Sequence, residues 1–157
     1  LRPSRSSALA FAALLAGCGG ASSEQSATTV EPARPERVAV ALRFEDAGVD
    51  AATDTPHTRV VLAVIRESDG RTETHEVGVV SGACNYVAPS ADALAAGSCW
   101  WAGSGDNFEL ARRGAELVVS RVQVDEELAA PLAPEPALRV ALPASAQVQV
   151  IVPELLR

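Results

Sequence analysis

Residues 58–81 read TRVVLAVIRESDGRTETHEVGVVS, and this stretch decides the fold. Val60, Val61, Leu62, Val64 and Ile65 are apolar at both odd and even positions, the pattern of a strand covered on both faces, so Thr58 to Arg66 is predicted to lie centrally in a sheet. Ser68, Asp69 and Gly70 are turn residues that tolerate a left-handed backbone. Thr72 to Ser81, with Val77, Val79 and Val80, then supplies the second arm of a β-hairpin.

The same alternation extends outward. Val38, Val40, Leu42 and Phe44 alternate with Ala39, Ala41 and Arg43, as in a half-buried strand from Arg37 onward. Asp50, Thr53, Asp54, Thr55 and Pro56 mark a polar loop before the central strand. Downstream, Phe108 to Arg112 and Glu116 to Val124 flank Arg113-Gly114 as a second hairpin, whose β-branched second arm belongs inside a sheet. Pro131, Pro134 and Pro136 keep residues 129–136 out of any central ladder. Leu138 to Leu142 and Ala146 to Val152 are predicted to pair around Pro143-Ala144-Ser145, with Gln147 and Gln149 on the wet face. One short helix is expected over Ser90 to Ala96, capped by Ser90, anchored by Leu94 and stopped by Gly97. The expected fold is therefore all-β: a small antiparallel β-sandwich or barrel of about seven strands.

The 157 residues carry 13 basic, all of them Arg, and 20 acidic side chains, a net charge of −7. Such a chain lacks the clustered positive charge that phosphate backbones require, which argues against nucleic acid as a partner. Alanine inflates the 48% hydrophobic fraction, so the length suits one domain with a tail.

The N-terminus has a different character. Arg2 and Arg5 precede an apolar run from Ala8 to Ala16, the order of a secretory leader and too short to span a bilayer. Leu15-Ala16-Gly17-Cys18 at the end of that run resembles the lipobox of bacterial lipoproteins. The resemblance covers this segment alone. It implies cleavage before Cys18, lipidation of the Cys18 thiol and acylation of the new amine, since one acyl chain holds a membrane only marginally. It also implies a cell-envelope location, and Gly19, where such chains often carry an inner-membrane-retaining Asp, favours the outer membrane. The alternative is an ordinary secretory signal cut near Ala16 or Ala21. Loss of Arg2 and Arg5 leaves 11 basic against 20 acidic residues, a net of −9 that anionic headgroups would repel. The expected organisation is a signal peptide over 1–17, a lipidated Cys and tether over 18–36, and a single β domain over 37–157. The Gly-, Ser-, Thr-, Glu- and Pro-rich tether buries too little to order itself, and about 18 residues give it a mean reach of roughly 20–25 Å.

Three cysteines in an exported chain leave one over, and lipid on Cys18 makes Cys84 and Cys99 an even pair. A disulfide closing a loop of about 15 residues is worth about 3 kcal/mol in the chain-entropy model. A 14-residue gap is not C-x-x-C, and zinc would need two further ligands from only His57 and His75, so no metal is expected.

Both tryptophans adjoin in Cys99-Trp100-Trp101-Ala102-Gly103-Ser104-Gly105-Asp106. In an extended segment they point to opposite faces: one is expected against the disulfide or core, the other exposed. Trp100, Trp101, Ser104 and Asp106 are thus the candidate binding surface, for a sugar ring, a peptide or a protein partner. The competing reading buries both rings under a covering loop. Gly103 to Asp106 matches neither a Walker motif nor a nucleophile elbow, and a Ser104, His75 and Asp106 trio is the sort of coincidence most chains contain. Thr74-His75-Glu76 reads as a solvated strand edge, and His57 falls in the Pro56 turn. The acidic residues Asp50, Asp54 and Asp125 to Glu127 lack calcium-loop spacing. The expectation is a membrane-anchored lipoprotein without cofactor or catalytic residues, serving as a binding or interaction module. The alternatives are an inhibitor-like lipoprotein acting on a lysozyme or protease and, more remotely, a hydrolase.

Overall fold

A computed structural model describes residues 34–127 and 132–151. The expected leader, Cys18, Ala21 and nearly all of the tether lie outside these residues. Nine strands are described: β1 Arg37–Asp50, β2 Thr55–Arg66, β3 Arg71–Ser81, β4 Ala83–Val87, β5 Ala95–Trp101, β6 Ser104–Arg113, β7 Glu116–Asp125, β8 Glu135–Ala141 and β9 Gln147–Val150. They form a four-stranded sheet, in the order β3-β2-β1-β9, and a five-stranded sheet, in the order β4-β5-β6-β7-β8. The fold is all-β and sandwich-like. Each described pairing is antiparallel except that of β1 with β9.

The central strand is where its sequence puts it, between β1 and β3, and the two expected hairpins are β2–β3 and β6–β7. The inner faces meet in one core. Val38, Val40 and Leu42 of β1 and Val60, Leu62 and Val64 of β2 lie against Cys99, Phe108, Leu110, Leu117, Val119 and Val140. Full burial of each such aliphatic side chain is worth about 1.5–3 kcal/mol.

Two of the nine strands, β4 and β5, lie beyond the seven expected. Their sequences, ACNYV and AAGSCWW, are short and interrupt their strand-forming Tyr, Val and Trp with Ala, Gly, Ser and Asn, so neither shows a sustained alternation. Their inner face is filled from the other sheet. A Cβ on Gly97 would run into the Phe44 ring of β1, so that ring occupies the space a side chain would take. The Phe44 ring also packs on Tyr86 of β4, with centroids 5.0 Å apart. The Tyr86 hydroxyl donates to the Leu42 carbonyl at 2.9 Å. That carbonyl points toward the β9 side of β1, just past Val40, where β9 pairing ends. One phenol thus ties the sheets together and satisfies a backbone acceptor that no strand reaches.

The helix expected over Ser90 to Ala96 is not formed, and no helix occurs among the described residues. Ser90 instead opens a turn closed by Ala93 N–H donating to the Ser90 carbonyl at 3.0 Å, and Leu94 N–H donates to the Leu110 carbonyl of β6 at 2.6 Å. A seven-residue helix is marginal by itself, and β6 offers the same backbone a ladder.

The pairing expected between Leu138–Leu142 and Ala146–Val152 is also not formed. β8 edges the five-stranded sheet, whereas β9 crosses to the other and runs parallel to β1. The crossing turn is held by Arg112, whose guanidinium donates to the Ala144 carbonyl at 3.0 Å and to the Ala146 carbonyl. The faces of β9 are nevertheless as expected, with Gln147 and Gln149 exposed and Val148 and Val150 against the core. The other crossing is Gly82, between β3 and β4. Its N–H donates to the Pro56 carbonyl at 2.7 Å, and its carbonyl accepts from Thr58 Oγ1 at 2.7 Å. Pro56 and His57 therefore lie in β2 rather than in a turn, and residues 51–54 form the exposed turn.

Each sheet edge carries a device against further pairing. β4 and β9 have only five and four residues. β8 carries Pro136 at a register shift opposite Ser120. On β3 a bulge near Val77 reverses the alternation, so Glu73 and His75 stand opposite Val64 and Leu62 and turn inward. His75 is consequently no solvated edge residue: its Nε2 is shielded from solvent, without a hydrogen-bond partner, 3.6 Å from Glu73 Oε2. Glu73 Oε1 accepts from Arg66 Nε at 3.2 Å, and Arg66 also pairs with Glu36. The two carboxylates raise the Arg66 pKa above its ordinary value, the Glu73 hydrogen bond being the larger cause. Glu36, assigned to the tether by sequence, is thus engaged with the domain, and its carbonyl accepts from Gln147 N–H at 2.8 Å.

The Phe44 seat predicts the effect of one methyl group. Gly97→Ala should lower unfolding free energy by about 1–3 kcal/mol in urea titrations, as overpacking does, and Phe44→Leu in the same chain should recover part of the loss. Unchanged stability in Gly97→Ala would mean that the ring shifts freely.

Candidate functional site

The pair Cys84–Cys99 forms the disulfide, joining directly opposed residues of β4 and β5 with Cα atoms 4.0 Å apart. Cys99 is wholly buried on the inner face. The bridge closes the 88–94 connection and fixes the register of β5 against β4, and this sets which face each tryptophan takes.

Trp100 and Trp101 do take opposite faces. Neither is buried, however: Trp100 is 42% exposed and Trp101 39%. Trp101 closes β5 opposite Ser104, at the end of the sheet and on the inner-facing parity. Between them lies a two-residue turn, Ala102-Gly103, with φ of 50° and 88°. Two positive φ values match the twist of a tight hairpin. Ser104, Gly105 and Asp106 are the first residues of β6.

Asp106 leaves the candidate surface altogether. It is 7% exposed, on the inner face opposite Cys99 and Gln123. Both its oxygens accept from Arg121, from Nε at 2.7 Å and from the second guanidinium nitrogen at 3.0 Å. This forked pair satisfies a carboxylate that the core would otherwise strand. The Ser104, His75 and Asp106 trio is likewise divided, since Asp106 engages Arg121 while His75 lies beside Glu73 on the other sheet. Among the described residues, no three His, Cys, Asp or Glu side chains converge as a metal site requires.

The companions of Trp100 are residues that the sequence did not single out. On the outer face of the five-stranded sheet the register sets three rows across β4 to β7: Ala83-Trp100-Gly105-Val124, Asn85-Ser98-Asn107-Val122 and Val87-Ala96-Glu109-Ser120. A shallow groove of about 530 Å³ runs over them, with Val87, Ser98, Trp100, Asn107, Glu109 and Val122 in its lining. Val87 is also largely exposed. The indole is fixed at both ends. Its Nε1 donates to Ser98 Oγ at 2.8 Å, and its Cδ2, at the ring fusion, lies 3.1 Å from where a Gly105 Cβ would be. The indole thus stands beside Gly105, whose own Cβ position is blocked first by the Cys99 carbonyl, and it remains 42% exposed. The Glu109 carboxylate accepts from Ser90 N–H at 3.3 Å, and no basic side chain lines the groove.

Strict alternation from Trp100 would have identified these companions once β5 was delimited. The small residues that make room for the ring are those that hide the strand. Ala102 offers a local test: a left-handed alanine costs about 1–2 kcal/mol, so Ala102→Gly should raise stability by a large part of that, read as a higher midpoint in urea. A lower midpoint would remove the tight-turn assignment. No protein-family model, curated protein or solved structure matches this chain.

Proposed function

We propose that this chain is a lipid-anchored lipoprotein of a bacterial cell envelope, facing outside the cytoplasm, whose β-sandwich is a binding module. The observation that carries the binding reading is the Trp100 indole, 42% exposed on the outer face of the five-stranded sheet and held there by its hydrogen bond to Ser98. An exposed indole offers a large amphipathic contact area to a partner or ligand, and one already held by a hydrogen bond loses little entropy when it is covered. The capture surface is accordingly the outer face around Trp100. It omits Asp106, and it omits Trp101 and Ser104, which lie at the sheet end on the inner-facing parity.

The anchor rests on separate support. The Leu15-Ala16-Gly17-Cys18 motif follows an apolar run of leader length, and the Cys84–Cys99 disulfide suits an oxidising compartment. Two or more acyl chains on Cys18 would hold the chain stably where one would not. Outer-membrane placement is supported by Gly19 after the cysteine.

Expression of the full chain in a bacterial host tests the anchor. Wild-type chain should sediment with membranes, enter detergent and carry acyl groups on Cys18 by mass spectrometry. Cys18→Ser should leave it unprocessed or soluble, with the sandwich intact by circular dichroism. A wild-type chain found soluble with a free Cys18 thiol would overturn the lipoprotein reading.

A further inference from the structure

The groove on the five-stranded sheet has a chemistry narrow enough to specify its ligand. We infer that Trp100 is a stacking platform for a pyranose ring of a neutral glycan, an assignment that rests on the binding reading above and names its ligand class.

Three observations carry it. First, the indole is 42% exposed on the outer face next to Gly105, and its hydrogen bond to Ser98 holds it there. An exposed indole offers a π-face to a ligand with a flat apolar face of its own, and the axial C–H bonds of a pyranose form one. An aliphatic chain needs a slot instead, and this groove is open.

Second, the polar groups beside the ring are hydroxyls and an amide. Ser98 and Asn107 occupy the next row of the register, about 7 Å along the strands, with Ser120 and Glu109 one row further. Amide, hydroxyl and carboxylate groups between them donate to and accept from sugar hydroxyls. A ring on Trp100 would place its neighbours in the chain over these rows.

Third, charge selects among glycans. The groove presents the Glu109 carboxylate and no cation, on a chain of net charge −7. A sulfated or uronate-rich polymer would meet repulsion without compensation, whereas a neutral one would not.

The test uses the full chain in detergent micelles, titrated calorimetrically with neutral hexasaccharides of β-1,4-linked glucose, β-1,4-linked N-acetylglucosamine and α-1,4-linked glucose. A sulfated hexasaccharide and a proline-rich peptide serve as controls. At least one neutral sugar should bind saturably; Trp100→Ala should weaken it about tenfold or more, Trp100→Phe less, and Trp101→Phe hardly at all. In Trp101→Phe chain, where Trp100 is the sole tryptophan, the same sugar should shift the emission excited selectively from tryptophan. Absence of saturable binding by all three neutral sugars overturns the inference, as does binding that Trp100→Ala leaves unchanged or peptide binding in their place. Wild-type and Trp100→Ala chains are also extracted from cell envelopes in parallel. If the sugars fail but wild-type chain alone retains envelope material, the ligand class is wrong and the binding reading stands. If neither assay responds to Trp100→Ala, both are wrong.

Discussion

The Phe44 ring seated over Gly97 is the contact on which the rest of the sandwich depends. It crosses from one sheet to the other and takes a volume that a side chain on β5 would otherwise fill. With that position vacated, β5 is built from small residues and comes close to β1, and Tyr86 packs on the same ring and reaches the Leu42 carbonyl. The disulfide one register step away holds β4 to β5, so the Tyr86 hydroxyl stays aimed. Such interlocking is what packing to crystalline density requires: when one side chain is large, its opposite must be absent.

This arrangement has an external counterpart. Inside the sandwich, Gly97 yields to a phenyl ring from the other sheet; on the adjacent strand, Gly105 yields to the Cys99 carbonyl, with the Trp100 indole next to it on the outer face. The inner substitution serves cohesion. The outer one leaves an aromatic surface exposed, which stability alone does not explain and which a ligand would. The half-exposed Arg121 forks onto buried Asp106 and ties β6 to β7 on the opposite face of the same strands.

How much of this was legible in the sequence follows from how local each signal is. Strict alternation from Val38 to Phe44 and the doubled apolar parity of Val60 to Ile65 gave β1 and β2 their faces, and turn residues gave two hairpins. The Cys84–Cys99 pairing followed from parity of number. By contrast, β4 and β5 were hidden because their inner positions are filled by Phe44, more than forty residues away in sequence. His75 was placed on the wrong face because a bulge at Val77 adds one residue and inverts every side chain beyond it. Residues 138–152 look like a hairpin locally, yet Arg112 pulls the turn toward the opposite sheet. At the candidate site the adjacency of two tryptophans was plain, but their separation onto an outer face and a sheet end required the register. Asp106 resembled a surface turn residue because its partner, Arg121, sits on the next strand.

The parallel seat of β9 beside β1 bears on how the polypeptide comes to be. Every other pairing joins neighbours in the chain and can form as each arm emerges, whereas Arg37 to Val40 must wait for Gln147 to Val150, over a hundred residues later. Contacts of such separation slow folding, because the loop they close must be ordered before they reward it. A ribosome, or a secretion channel that threads residues in order, would therefore hold an unfinished sheet until the last strand was released.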